Sequence, residues 1–174
     1  MSKHLIFSAL LALGLTLSAT SALAMPSTQL AMGHHDTTLK NKELAFNFYK
    51  DIMNDKKLDK LKDYFTADVL DHDPMMGDIS GLAKVSESIS DFLKCFPDLN
   101  VEVLRSAAEG DLVFVHIRMT GTNSGAMMGM PATGKKIDVN AIDIIRIKDG
   151  KCAEHWMETN SIAMMQQLGL MQGH

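Results

Sequence analysis

Cysteine is nearly absent from this 174-residue chain, which has only Cys95 and Cys152. A chain of this size buries enough apolar surface to fold without disulfides or metals. Cationic excess is missing as well: 17 Lys+Arg stand against 21 Asp+Glu, so nothing matches a phosphate backbone and nucleic-acid binding is disfavoured. No apolar run is long enough to span a bilayer, which needs about 20 residues. The one candidate, Leu5 to Leu17, is interrupted by Ser8, Gly14 and Thr16. Internal repeats, low-complexity tracts and a second domain are also lacking. At 46% apolar, 22% charged and 6% aromatic, the composition is that of an ordinary globular protein. Methionine is the abundant exception, at 14 residues, which points to a soft, adaptable pocket or core, or to soft metal ligands.

The first 24 residues have the form of a cleavable export signal. Lys3 precedes the apolar run, and Ala22-Leu23-Ala24 supplies small residues at a cleavage site. The expectation is an exported, periplasmic or secreted protein that begins at Met25 and has no membrane attachment. Residues 25–38 show no sustained period and are expected to form a flexible leader, with one domain over 39–170. Export permits a Cys95–Cys152 bridge, although both sit among apolar neighbours as separately buried thiols would; both alternatives stand.

Helical spacing governs the first half of the domain. Leu44, Ala45, Phe48, Tyr49, Ile52 and Met53 form one face, Leu58, Leu61 and Phe65 a second, and Leu82, Val85, Ile89, Phe92, Leu93 and Phe96 a third that Pro97 ends. Asp71 to Gly77 reads as a loop, because it contains Pro74 and ends on glycine. Beyond Pro97 the period changes to two, through Leu99–Val103, Leu112–Thr120, Ile137–Ile147 and Lys151–Glu158, before a last short helix over Ser161–Leu168. Helices followed by an antiparallel meander make an α+β domain with a curved sheet around the helices.

The Lys148-Asp149-Gly150 turn bears on which side chains share a face. A three-residue loop pairs Ile147 with Lys151, Ile145 with Ala153, Asp143 with His155 and Ala141 with Met157. A two-residue turn sets Lys148 against Lys151, like charges opposite each other, and is the poorer expectation. The three-residue register turns Asp143 and His155 inward. There they form either a structural ion pair or the polar centre of a ligand pocket, since an unpaired acid in an apolar concavity is costly. Ile144 and Trp156 fall on the outer face, an apolar surface that calls for cover by a second copy.

Gly129-Met130-Pro131-Ala132-Thr133-Gly134-Lys135-Lys136, Asp143-Ile144-Ile145-Arg146-Ile147-Lys148-Asp149-Gly150-Lys151, Glu154-His155-Trp156 and Gln167-Leu168-Gly169 follow one another in order. Together with Val69-Leu70-Asp71-His72-Asp73-Pro74, they resemble the SnoaL-like polyketide cyclase, or ester cyclase, family over about residues 40–170. The resemblance implies a nuclear transport factor 2-like cone: three N-terminal helices packed in a strongly curved antiparallel sheet, an apolar pocket and dimerisation through the sheet. It also implies an intramolecular aldol reaction without a cofactor, in which a pocket acid removes a proton alpha to a carbonyl. The family's acid/base Asp falls at Met157, a thioether that cannot exchange protons, and a pocket His of the cyclases falls at Asp143. Asp143 is the candidate base with His155 or His72 as partner, and His72 is expected at the cavity mouth. Phe48, Asp71, Phe92, Ile145 and Met157 are the expected contacts to a small apolar ligand. A second class, copper binding, rests on Met25, Met32, His34, His35 and the pairs Met75-Met76, Met127-Met128 and Met164-Met165. A third is a dimeric binding or adaptor module without turnover.

Overall fold

The structure, a computed structural model, describes residues 27–73, 77–127 and 129–171. Helix α1 (Ser27–Phe48) runs into a π turn (Tyr49–Asn54), a 3-10 turn (Leu58–Lys60) and a single helical turn, α2 (Leu61–Tyr64). There follow β1 (Phe65–Asp73), β2 (Gly77–Ser80), α3 (Leu82–Cys95), β3 (Asn100–Glu109), β4 (Leu112–Thr122), β5 (Lys136–Lys148), β6 (Lys151–Thr159) and α4 (Ser161–Leu168). One six-stranded sheet, in the order β2-β1-β6-β5-β4-β3, curls around the helices.

The alternating strands and α3 lie where the periodicity puts them. Along β5, Ile137, Val139, Ala141, Asp143, Ile145 and Ile147 are buried, and the residues between them are exposed or half-buried. Their inward faces meet Val85, Leu93 and Phe96 of the α3 region and Ala45, Tyr49 and Ile52 of the first helix in one core. Helix α4 starts on Asn160, whose side chain accepts from the Ala163 amide at 3.0 Å, and stops at Gly169 in the left-handed conformation.

Four expectations need correcting. Asp71–Asp73 and Gly77 are strand rather than loop: β1 and β2 pair antiparallel from Leu70↔Ser80 to Asp73↔Gly77. Because β1 also pairs with β6 in parallel, the sheet is mixed rather than a pure meander. The helix begins at Ser27, well inside the supposed leader. That stretch is rich in Ser, Thr, Gln and His and has no apolar stripe to announce it.

The fourth correction concerns the β5–β6 register. The turn has two residues, Asp149 (φ 52°) and Gly150 (φ 72°), both in the conformation of a type I′ turn, and Lys148 does pair with Lys151. The expected repulsion is relieved because Lys151 Nζ donates to the Lys62 carbonyl at 2.7 Å. A bulge then leaves Ala153 unpaired between Ile147↔Cys152 and Arg146↔Glu154. Asp143 therefore faces Met157, and Ile145 faces His155. The turn and the bulge each shift the register by one residue in the same direction, and the total of two preserves parity, so the inward face is the expected one. The bulge also turns Cys152 into the same concavity as His155, three positions on.

Candidate active site

A cavity of about 690 Å³ lies between the concave sheet face and the helices. Its walls are apolar: Phe48 and Phe92 come from the helices, Ile117, Ile145 and Met157 from the sheet, and Met164 from α4. Charged side chains of α3, Lys84, Glu87, Asp91 and Lys94, complete the lining where that helix is exposed.

Four polar groups from four elements meet inside. Asp71 Oδ1 on β1 lies 2.7 Å from His155 Nδ1 on β6, and His155 Nε2 lies 3.8 Å from Asp143 Oδ2 on β5. The Tyr49 hydroxyl, at the start of the π turn, donates to the same Asp143 Oδ2 at 2.6 Å. Asp143 and Tyr49 are 4% and 3% exposed. Asp143 Oδ1 is buried with no hydrogen-bond partner among the described residues. Burial pulls the His155 imidazole down, but the nearby Asp143 carboxylate and the bond and charge of Asp71 outweigh it and lift it to about 10, so the ring is an imidazolium at neutral pH. Burial first, and the Asp143 carboxylate second, push the Tyr49 phenol well above its ordinary value, which keeps it a donor. An imidazolium and a carboxyl group with free lone pairs, both inside an apolar chamber, suit proton transfer at a carbonyl compound.

Most of the expected site is brought together here. Asp143, His155, Phe48, Phe92, Ile145 and Met157 all line the cavity, and Asp71 is bonded to His155 inside it. His72 is the exception. Strand alternation sends Asp71 inward and His72 outward, where its ring stacks on Trp156 at 5.0 Å and contacts Asp78 at 2.8 Å and Glu154 at 3.1 Å. It is excluded from the chamber and is not a partner of Asp143. Tyr49 was missed: the sequence places it on the apolar face of the first helix as packing. A phenol on a buried face needs an acceptor, and Asp143 was the available buried acid.

Residues 43–168 match the profile of the SnoaL-like polyketide cyclase family. The chain belongs to that family. Aklanonic acid methyl ester cyclase DauD of Streptomyces sp. strain C5 is 26% identical over 110 residues, which are 63% of this chain and 66% of that protein. The solved structure of AclR from Streptomyces galilaeus superposes with a TM-score of 0.69 at 27% identity, covering 79% of this chain and 85% of that one. A protein of Jannaschia sp. CCS1 described as a SnoaL-like polyketide cyclase gives a TM-score of 0.71 at 23% identity, over 75% of this chain and 92% of the other. The curled mixed sheet around helices is thus the SnoaL-like cone, and the matched relatives support a cyclase-type function in general terms.

Two other features of this SnoaL-like chain bear on its chemistry. Both cysteines are free and buried; burial, and then the nearby Asp71, push the Cys152 thiol up to about 12, so it is no nucleophile. Among the described residues no group of three or more His, Cys, Asp and Glu is placed to hold a metal ion. The copper reading leans on Met25, Met75, Met76 and Met128 and on the side chains of Met32, His34 and His35, which lie outside the described residues, as does the export signal. Met164 and Met127 are walls of the chamber.

Proposed function

We propose that this protein is a cofactor-independent acid–base enzyme of the cyclase type, acting on a small, largely apolar, enolisable carbonyl compound. The observation that carries the reading is the environment of Asp143. One carboxylate oxygen is held by Tyr49, the other has no partner among the described residues, and a protonated imidazole stands 3.8 Å from the held one. A substrate carbonyl oxygen placed about 2.8 Å from His155 Nε2 receives its hydrogen bond, which stabilises the developing enolate. Asp143 Oδ1 takes the proton from the adjacent carbon. The enolate carbon then attacks a second carbonyl of the same molecule, and Asp143 returns the proton to the new alkoxide. A carbon–carbon bond forms, nothing leaves, and no redox partner is needed. Asp71 fixes the ring by its bond to Nδ1, and the apolar walls exclude water that would quench the enolate.

A second reading, a binding protein without turnover, is favoured by one observation: Asp143 is only 4% exposed, as a structural ion pair would be. The experiment is turnover of aklanonic acid methyl ester, the compound in the name of a relative, by wild type and Asp143→Asn, with native mass spectrometry for any retained ligand. Loss of turnover with an unchanged fold supports the enzyme. A ligand retained without turnover by either protein supports the binding module.

The proposal includes export and dimerisation. Export is supported by Lys3, the apolar run and Ala22-Leu23-Ala24. A dimer through the outer sheet face is supported by the exposed Ile142 (40%) beside half-buried Ile144 and Trp156.

A further inference from the structure

We infer that Tyr49 is a positioning residue that keeps Asp143 and His155 apart, so that a substrate oxygen can occupy the space between them. The inference rests on the acid–base reading and concerns what makes that pair usable. A carboxylate beside an imidazolium in an apolar chamber is drawn into contact, because the low dielectric strengthens the attraction. Here contact is not made: Asp143 Oδ2 lies 3.8 Å from His155 Nε2, beyond hydrogen-bond reach. On the other side of the ring, Asp71 is in full contact with Nδ1 at 2.7 Å. Asp143 has a hydrogen-bond partner that Asp71 is not shown to have, the Tyr49 hydroxyl 2.6 Å from Asp143 Oδ2.

Tyr49 is itself fixed. It is 3% exposed, its ring meets Phe48 edge to face at 5.5 Å, and it begins the π turn whose Asp55 amide bonds back to the Lys50 carbonyl at 2.8 Å. Such π segments occur often at functional sites, and Phe48, Tyr49, Ile52 and Met53 all pack in or against the core here. The hydroxyl therefore pulls the carboxylate from a backbone anchor that the ligand does not move. Without it, Asp143 rotates onto Nε2, and the donor needed by the substrate oxygen is occupied.

The test is Tyr49→Phe beside Asp143→Asn, with aklanonic acid methyl ester as the probe. Tyr49→Phe is expected to lower kcat on the order of 10- to 100-fold with KM within about twofold, because transition-state contacts are lost and binding walls are kept. The His155 Nε2 proton should move downfield in the NMR spectrum as Asp143 closes on it. A wild-type kcat in Tyr49→Phe with an inactive Asp143→Asn overturns the inference and leaves the acid–base reading intact. Full activity in Asp143→Asn overturns that reading. A lower kcat with an unmoved Nε2 proton assigns the loss to packing and also overturns the inference. Should Tyr49→Phe fail to fold, the wild-type protein decides: a slowly exchanging phenolic proton that shifts in Asp143→Asn, where a neutral amide replaces the carboxylate, supports the inference, and its absence in wild type refutes it.

Discussion

Removing the proton from His155 should destabilise the folded chain, and the pH range follows from the geometry. The folded imidazole titrates at about 10, against about 6.5 for the unfolded ring, because Asp143 and Asp71 hold its cationic form. Its folded pKa is raised, so its contribution is complete below pH 6.5 and is lost as pH rises through 10. Across that window the folded protein carries one more proton on this ring than the unfolded chain. Stability then falls by up to about 1.4 kcal/mol for each pH unit. Cys152, pushed up to about 12, adds to the fall above its unfolded value of about 8.5, so the range between pH 6.5 and 8.5 isolates the histidines. His72 is also raised, first by Glu154 and then by Asp78, but it lies on the outer face. Urea unfolding at half-unit steps from pH 6 to 9, on wild type, His155→Gln and His72→Gln, separates the two rings. His155→Gln should flatten most of the slope and His72→Gln little of it. A wild-type stability that is level across this range, or a slope that survives in His155→Gln, would refute the Asp71–His155–Asp143 arrangement.

Other outcomes follow from separate parts of the structure. Gly125→Ala puts a methyl 2.5 Å from the Lys94 carbonyl oxygen and 3.0 Å from Cys95 Cα, and neither backbone atom yields easily. It should cost about 1–3 kcal/mol in a urea melt, and no loss would show that the 123–135 segment packs differently against α3. Light scattering at tens of micromolar should give the mass of a dimer, and Trp156→Ala, which removes the ring between His72 and Arg146, should shift it toward monomer. A wild-type monomer contradicts the outer-face interface. Intact mass of the exported protein should begin at Met25, and a mass that retains residues 1–24 rejects cleavage.

The period-2 strands β3 to β6 and the stripes of α3 and α4 were legible because each has one buried face, which writes itself into the sequence. The first half of α1 was not, since its sequence, rich in Ser, Thr, Gln and His, shows no sustained apolar period. Strands β1 and β2 were hidden by Pro74 and Gly77, breakers that mark the connection between two strands as readily as a loop. In the site, Asp143, His155, Met157 and Ile145 could be assigned to one face because parity survives a two-residue shift of register. The bonds among them could not. Whether His155 reaches Asp143 or Asp71 depends on how β1 docks beside β6, a long-range parallel pairing with no local signal. His72 failed for the same reason: read as a loop, the segment had no alternation to send it outward.

The most direct test of the acid–base site is exchange of the alpha proton of aklanonic acid methyl ester in heavy water, followed by NMR, because it reports the first chemical step whether or not a ring closes. Wild type should incorporate deuterium, and Asp143→Asn should slow incorporation by about 10²- to 10⁴-fold while still binding the ester. Equal exchange rates in the two proteins, with the ester bound by both, would contradict Asp143 as the base.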